Sequence, residues 1–237
     1  MTLLRVENVS KRFGGITANE NVSFEVGVGK IVGLIGPNGA GKTTMFNCIA
    51  GYASPSAGQI WLQDQKIGGF APEQCARAGI GRTFQIARTF TSMTALENVM
   101  VGAFLFDRSV SRARQQAIEL LGLVNLVKYA EKPAASMTIS EQRRLAVARA
   151  LAIDPCLLLM DEVMAGLNPT EVKEMVEVVL RIRDQGISCL IVEHVLEGIM
   201  PIADNVVVLD YGRKIADGAP AQVSADPAVI AAYLGDE

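Results

Sequence analysis

The chain has 237 residues, of which 50% are hydrophobic, 5% aromatic and 20% charged, and its formal net charge at pH 7 is -3. A chain of this length can bury enough apolar surface to fold as one large domain without disulfide bonds or a structural metal. The composition excludes a disordered or collagen-like chain. Because the net charge is negative and the sequence contains no lysine or arginine block, we expect no nucleic-acid partner.

Targeting and redox features of the sequence indicate the cytosolic side of a membrane. The mean hydropathy of +0.28 is high, yet no stretch reaches the roughly 20 apolar residues of a membrane-spanning helix. The densest apolar run, residues 99–106, is too short and contains Gly102, and the N-terminus does not have the pattern of a secretory signal peptide. The four cysteines are widely separated, which is typical of reduced thiols and not of a disulfide framework or zinc site.

The first third of the chain alternates short β-type runs with turn residues. Period-2 alternation and glycine punctuation predict strands over residues 3–9, 22–26, 31–35 and 60–62. The strand at 31–35 continues into a glycine-rich loop, and residues 45–50 have the composition of a buried helix that ends at Gly51. The sequence therefore predicts a strand, loop and helix unit.

The rest of the chain is predicted to contain an inserted helical region, followed by apolar strands that alternate with helices. Residues 111–128 have apolar positions at helical spacing within a region, 86–136, that lacks the β-type pattern, and we interpret this region as a helical lobe. The strands 157–160, 188–192 and 206–210 and the helices 140–152 and 170–184 follow, then a turn at Tyr211 and Gly212 and a helical tail. Short, non-alternating apolar strands between helices favour a parallel sheet covered on both faces. We expect an α/β fold with a mostly parallel sheet, an N-terminal antiparallel β part and the helical lobe.

The glycine-rich loop matches the phosphate-binding pattern G-x-x-x-x-G-K-[ST]. In that pattern backbone N–H groups surround phosphates, the lysine reaches the outer phosphates, and the hydroxyl that follows binds Mg²⁺. The alternative is a structural glycine turn, which the strand and helix on either side disfavour. The candidate nucleotide-binding residues are Gly36, Pro37, Asn38, Gly39, Ala40, Gly41, Lys42, Thr43 and Thr44.

Two adjacent carboxylates follow the apolar strand 157–160. Phosphoryl transfer needs a carboxylate that holds the metal and a group that activates water, so we assign the first role to Asp161 and the second to Glu162. Away from a phosphate loop, such a pair is more often the acidic first turn of a helix. Because the same chain contains a phosphate loop, we favour the metal-binding and catalytic roles for this pair.

Several further motifs, in order, resemble the ATP-binding subunit of an ABC transporter over nearly the whole chain. They are Phe13, Gln85 in the run 82–85, the loop 165–169, and His194 after Val192 and Glu193. Taken singly, Phe13 could be core, Gln85 a solvated strand end and His194 structural.

The resemblance implies a role for each of these residues. Phe13 would lie under the adenine, Gln85 would touch Mg²⁺ and link to the membrane subunits, and His194 would sense the γ-phosphate of ATP. Lys42, Glu162 and His194 would then be the catalytic residues, with Thr43, Gln85 and Asp161 toward the metal. It also implies one domain over residues 1–237, with a nucleotide-binding core at 1–85 and 153–237 and the helical lobe at 86–152.

The sequence departs from the family at the signature motif, Leu-Ser-Gly-Gly-Gln. In the family, subunits pair head to tail, and this motif of one subunit contacts the ATP bound by the other. Residues 137–141 read Met-Thr-Ile-Ser-Glu, so the glycines that allow close backbone approach are absent. Thr138 keeps the hydroxyl of the motif, and Thr138 and Ser140 are the candidate contacts to that nucleotide. The side chains of Ile139 and Ser140 and the Glu141 carboxylate should weaken the contact, and Thr138 with Glu141 also forms a capping-box pattern. We expect a heterodimer with a different ATPase subunit, which would supply an intact signature to this chain's ATP.

Within the family, the runs 83–85, 93–102, 165–169 and 232–235 are most similar to ATPases of branched-chain amino acid importers. This implies membrane permease subunits as partners, a solute-binding protein as an indirect one, and a location on the cytoplasmic face of the inner membrane. The nearest alternative is the ATPase of a lipopolysaccharide exporter. Of another class, a soluble non-transport ABC ATPase and a regulatory ATP-binding subunit stay open.

Overall fold

Two β-sheets organise the protein in a computed structural model that describes residues 1–84, 89–105 and 109–234. The first sheet is antiparallel and contains β1 (Thr2–Phe13), β2 (Ile16–Gly27), β4 (Ala57–Leu62) and β5 (Gln65–Lys66). Its spatial order is β2-β1-β4-β5. The predicted N-terminal antiparallel part is thereby confirmed.

The second sheet has six strands in the order β10-β9-β3-β8-β7-β6. Every neighbouring pair in it is parallel except the hairpin of β9 and β10. The strands β3, β7 and β8 are buried at every residue, as non-alternating apolar runs predict for a sheet covered on both faces. The strands are β3 (Ile31–Ile35), β6 (Ile80–Arg82), β7 (Leu157–Asp161), β8 (Ser188–Val192), β9 (Asn205–Asp210) and β10 (Arg213–Gly218).

Helices cover both faces of the six-stranded sheet. They are α1 (Lys42–Ile49), α2 (Pro72–Arg77), α3 (Ala95–Ala103), α4 (Val110–Leu123), α5 (Ile139–Leu151), α6 (Pro169–Asp184), α7 (Leu196–Ile199), α8 (Pro220–Ser224) and α9 (Pro227–Leu234).

Two local predictions differ from the structure. The helix expected over 111–128 ends at Leu123, because Asn125 has a φ of 59° and the chain turns there before a short 3₁₀ segment, Val127–Tyr129. The sequence predicts a helical tail directly after the turn at Tyr211 and Gly212, whereas β10 comes first. This edge strand is short and largely polar, so it carries little hydrophobic periodicity.

The six-stranded sheet separates two hydrophobic cores. Along β7, Leu157 and Leu159 face the core shared with α1 and the antiparallel sheet, whereas Leu158 and Met160 face the core shared with α3, α4, α5 and α6. The second core continues without interruption from the sheet into the helices that precede β7. Movement of those helices is therefore constrained by packing against the strand that ends at Asp161.

Helices α3 and α5 approach closely at Gly102. A Cβ atom at this position would lie 2.8 Å from the Ala152 Cβ and 2.9 Å from the Arg149 carbonyl oxygen. Glycine is therefore required by the contact between the helices, although it is an unfavourable residue inside a helix.

We predict opposite effects for two glycine-to-alanine substitutions. Gly102→Ala should lower the free energy of unfolding by about 1–3 kcal/mol, because the added methyl overpacks the α3–α5 contact. Gly122→Ala, at an exposed position in α4 where the new Cβ meets only Val127 at an ordinary 3.6 Å, should raise it by about 0.5–1 kcal/mol. Urea denaturation measures both, and equal signs would contradict the packing argument.

Candidate nucleotide-binding and catalytic site

The phosphate loop connects β3 to α1, as the sequence predicts. Gly36 has a φ of 145°, and a Cβ there would come within 2.0 Å of the Leu209 carbonyl oxygen. Gly41 has a φ of 95° and precedes α1, and its Cβ would meet the Ala18 carbonyl at 2.4 Å. The two glycines of the motif are therefore fixed by tight backbone contacts, and the loop ends at a helix N-terminus, where anions bind favourably.

The Lys42 side chain lies over this loop. Its ammonium donates to the carbonyl oxygens of Gly36 at 2.7 Å and Pro37 at 2.8 Å. Burial lowers the pKa of Lys42, while the nearby Glu162 and Asp161 carboxylates oppose that shift. A partly desolvated cation beside main-chain N–H groups is suited to binding negatively charged phosphates.

Asp161 ends β7 and is almost fully buried. Its backbone N–H donates to the Thr83 hydroxyl at 3.2 Å, and its carboxylate accepts from the Arg82 guanidinium at 3.3 Å. Burial raises the pKa of Asp161, and Arg82 opposes this shift. Arg82 also donates to the Asn47 side chain on α1 at 2.8 Å, so this arginine joins the strand end of β7 to the helix of the phosphate loop.

Glu162 and His194 meet where β7 and β8 end. The Glu162 Oε1 and His194 Nε2 atoms are 3.1 Å apart. The Glu162 backbone N–H donates to the Val192 carbonyl at 2.9 Å, which holds the two strand ends together. A carboxylate this close to an imidazole can orient the ring and exchange a proton with it.

The ends of β3, β7 and β8 form one cleft with a volume of about 220 Å³. Adjacent parallel strands end at the same sheet edge, which is where open α/β sheets bind their ligands. The structure therefore brings together residues that are far apart in the sequence. The lining residues are Ala18, Asn38, Gly39, Ala40, Gly41, Lys42, Thr43, Thr44, Glu162 and His194.

Six of the predicted site residues that the structure describes are not part of this lining: Phe13, Gly36, Pro37, Thr138, Ser140 and Asp161. Gly36 and Pro37 belong to the phosphate loop, and Asp161 ends β7. Phe13 lies at the β1–β2 hairpin, half exposed, with the Lys11 ammonium 4.7 Å from its ring centre. Thr138 and Ser140 lie at the start of α5 and, within the described ranges, do not line the cleft. Gln85 lies outside the described residues.

The expected capping box at α5 is present. The Thr138 N–H donates to Glu141 Oε2 at 2.9 Å and the Glu141 N–H donates to the Thr138 hydroxyl at 3.2 Å. Lys132 pairs with the same carboxylate at 2.7 Å. Burial by itself would raise the pKa of Glu141, but the hydrogen bonds from Lys132 and Thr138 outweigh it and the pKa is lowered. The N-terminus of α5 therefore already has a carboxylate against it.

Three charged residues for which the sequence predicts no role contact the site. Arg82 binds Asp161, Arg143 Nη1 donates to the Glu162 carbonyl oxygen, and Glu193 accepts from the Met164 N–H at 2.7 Å. Arg82 and Glu193 lie within motifs quoted above and Arg143 lies in the predicted helix 140–152, but their side-chain direction depends on the tertiary fold. The signal available in the sequence was a charged residue immediately beside an apolar strand or a signature helix.

A buried parallel sheet with a phosphate loop after one strand and an Asp-Glu pair after another defines a nucleotide-binding α/β protein of the phosphate-loop class. Two family models match the chain, one described as ABC transporter at residues 19–165 and one described as branched-chain amino acid ATP-binding cassette transporter at residues 213–237. The chain belongs to the ATP-binding subunits of ABC transporters and is an ATPase.

Similar proteins span the whole chain. It is 40% identical to the high-affinity branched-chain amino acid transport ATP-binding protein LivG of Escherichia coli K12, over 99% of this chain and 98% of that protein. It is 33% identical to the lipopolysaccharide export system ATP-binding protein LptB of Acidithiobacillus ferridurans, over 99% and 98%. The crystal structure of MJ1267, an ATP-binding cassette in its ADP conformation, superposes with a TM-score of 0.91 at 30% identity and covers both chains completely.

The structure bears on two predictions, one about membrane-spanning helices and one about the cysteines. Among the described residues, no helix is both long and apolar enough to cross a membrane. Cys48, Cys75, Cys156 and Cys189 are all free thiols, and burial raises the pKa of Cys189 to about 12. Cys48, Cys75 and Cys189 are buried and Cys156 is partly buried, which agrees with the predicted reduced and mostly buried thiols.

Glu193 gives a prediction about pH and stability. Burial raises its pKa to about 7, so between pH 4.5 and 7 the folded chain holds a proton that the unfolded chain has lost, and the contribution of Glu193 to stability falls as pH rises through this window. Glu193→Gln removes that titration. The free energy of unfolding of the variant relative to the parent should therefore increase by up to about 3 kcal/mol from pH 4.5 to 7.5.

Urea denaturation of both proteins at several pH values measures this difference. A difference that stays constant across the window would contradict a protonated, buried Glu193.

Proposed function

We propose that the cleft binds ATP and hydrolyses it with Glu162 as the general base. The observation that carries this proposal is the 3.1 Å contact of Glu162 with His194 in the same cleft as Lys42 and the phosphate loop. Lys42 neutralises charge on the outer phosphates, Glu162 accepts a proton from the attacking water, and His194 orients Glu162 and contacts the γ-phosphate. The phosphate-loop backbone from Gly36 to Thr44 holds the remaining phosphate oxygens, and Phe13 stacks against the adenine.

The available donors fit Mg²⁺. The Thr43 hydroxyl lines the cleft and the Asp161 carboxylate ends the neighbouring strand, and oxygen atoms of this kind are the ligands that Mg²⁺ prefers. We propose that Thr43, Asp161 and Gln85 hold the ion, Asp161 through water. When bound, the ion supplies positive charge to the phosphate oxygens. Arg82 keeps the Asp161 carboxylate in place at the strand end.

Substitution of the base tests the mechanism. Glu162→Gln should lower the turnover of ATP by about 10²–10⁴-fold, because the amide cannot accept the proton from water. Binding of ATP should stay within about twofold, because the phosphate loop is unaltered. Phosphate release measures turnover, and equilibrium binding of a fluorescent ATP analogue measures affinity; a variant that hydrolyses ATP at the parent rate would overturn the assignment.

We propose that the chain works in a head-to-tail pair with a different ATPase subunit. The start of α5 has Ile139 65% exposed where the family has glycine, and the Glu141 carboxylate lies against the helix N-terminus. A carboxylate there opposes the approach of a γ-phosphate. Two copies of this chain would place this surface at both ATP sites, whereas a partner with an intact signature serves the ATP held by this chain. Thr138 and Ser140 would face the partner's nucleotide.

We infer that the ATPase powers a branched-chain amino acid importer and docks on permease subunits at the cytoplasmic face of the membrane, with a solute-binding protein as an indirect partner. Similarity to LivG over the whole chain, which exceeds that to LptB, supports this cargo, as does the match at residues 213–237. In this proposal, helices α3, α4 and α5 belong to the helical lobe between the two parts of the nucleotide-binding core. Closure of the ATPase pair moves this lobe and thereby the permease.

A cleft of about 260 Å³ between the lobe and the core is the proposed docking site. Tyr52, Phe84 and Val101 line it together with Arg149. The apolar run at 99–106 contains both buried and exposed side chains. Val99 and Ala103 are core residues, whereas Val101 and Phe104 are each 39% exposed. Exposed apolar side chains at the edge of a cleft fit a short apolar helix from a partner.

Purification of the tagged chain from its own cells in mild detergent tests these partners. We expect permeases that span the membrane several times, a second ATPase of different sequence and a solute-binding protein to copurify. Val101→Asp should abolish the recovery of permeases while leaving ATP binding intact, because a carboxylate in the cleft must be desolvated on docking. Val110→Asp, at an exposed apolar position of α4 outside this cleft, is the matched control.

Other outcomes identify the alternatives. Recovery of soluble proteins only would support a non-transport or regulatory ATPase, and recovery of lipid-export proteins would support the exporter. If the purified chain alone hydrolyses ATP cooperatively at a high rate, the heterodimer proposal fails.

A further inference from the structure

Glu162 has a backbone conformation that the surrounding structure must impose. Its φ is 50°, in the left-handed region that non-glycine residues rarely adopt. Such a conformation costs about 1–3 kcal/mol and persists where neighbouring contacts determine it. The contacts that fix residues 162–164, the catalytic loop, therefore also set the direction of the Glu162 carboxylate.

Two of these contacts come from side chains. On one side, Arg143 Nη1 donates to the Glu162 carbonyl oxygen. On the other side, Glu193 Oε1 accepts from the Met164 N–H at 2.7 Å. The Val192 carbonyl accepts from the Glu162 N–H at 2.9 Å, so both ends of the catalytic loop are held.

Glu193 is fully buried beneath the catalytic loop. Its Oε2 atom has no hydrogen-bond partner among the described residues. A buried carboxyl with an oxygen that lacks a close partner costs folding free energy, which the bond from the Met164 N–H and the nearby backbone of Val195 and His194 offset only in part. Arg143 is the charged group that acts on it most directly, and Glu193 follows β8 immediately before His194.

Arg143 belongs to α5, which contacts both parts of the molecule. On one face α5 packs against α3 and α4, and on the other it packs against β6 and β7. The guanidinium of Arg143 thus connects a helix of the lobe to the backbone of Glu162. Among the described residues, α5 contributes none to the lining of the cleft, so a displacement of α5 acts on the cleft through this connection.

We infer that Arg143 and Glu193 are positioning residues that hold the catalytic loop so that the Glu162 carboxylate stays against His194, and that Arg143 transmits movement of α5 to this loop. The inference rests on the proposed role of Glu162 as the base. Neither residue is among the described residues that line the cleft, and both act through the backbone of residues 162–164. Their loss therefore affects the chemical step and leaves nucleotide affinity unchanged.

The test uses the full chain purified from its own cells with its accompanying subunits. Arg143→Met and Glu193→Leu remove the two contacts, whereas Glu193→Gln keeps an oxygen that can accept from the Met164 N–H. Arg144→Met is the matched control, because Arg144 lies next to Arg143 on α5 and pairs with Glu174 of α6 at 3.4 Å. We expect kcat for MgATP to fall about tenfold in Arg143→Met and Glu193→Leu, with KM within about twofold, and to stay near the parent value in the other two.

Hydrogen exchange of the Met164 amide provides a readout independent of activity. It should be faster in Glu193→Leu and unchanged in Glu193→Gln, since the amide loses its acceptor only in the former. If Glu193→Leu does not fold, the kcat and KM values of Arg143→Met and Glu193→Gln test whether the two residues position the catalytic loop.

The outcomes separate this inference from the proposed function. If Glu162→Gln abolishes hydrolysis but Arg143→Met and Glu193→Leu have the parent kcat, the positioning role is wrong and the base assignment stands. If Glu162→Gln retains hydrolysis, the base assignment is wrong, and with it the inference. If all variants, including Arg144→Met, lose activity in proportion to thermal stability, the role of the pair is structural and the inference is overturned.

Discussion

The site depends on one constraint, that three parallel strands buried on both faces must end at the same edge of their sheet. The interior of β3, β7 and β8 has no polar side chain available for chemistry except Asp161 and Ser188 at strand ends. Polar groups can be supplied only where the strands stop. Lys42, Glu162 and His194, separated by up to 152 positions in the chain, therefore meet in one cleft.

The same sheet explains how a distant event can reach the cleft. It separates two cores, and the core that contains residues of α3, α4 and α5 also contains Leu158 and Met160 of β7, the strand that carries Asp161 and leads to Glu162. Close-packed cores transmit displacement because they have little free volume. The close contact of α3 and α5 at Gly102 belongs to this path, and α5 is the helix from which Arg143 reaches the catalytic loop.

The sequence was sufficient for the fold class, the phosphate loop and the capping box, because each depends on local pattern. Apolar runs without alternation predicted β7 and β8, and Thr138 with Glu141 predicted the start of α5. Contacts between distant segments could not be predicted in the same way. The bond from Arg82 to Asp161 spans 79 positions and the bond from Glu193 to Met164 spans 29, and no periodicity records which side chains face each other across strands. Polar strands such as β10 escape pattern analysis for a related reason, since an edge strand needs no apolar face.

The bonds that Lys42 makes within its own loop affect how nucleotides compete for the site. An ammonium group has three donors, and two of them are directed to the carbonyls of Gly36 and Pro37. An incoming phosphate must therefore exchange with neutral oxygens already in place, and the net gain is smaller than the strength of the new ion pair. A ligand with more negative charge near Lys42 compensates better for the loss of the bonds to these carbonyls than a ligand with less charge. With Lys42 in its proposed role, the loop by itself would favour a triphosphate over a diphosphate.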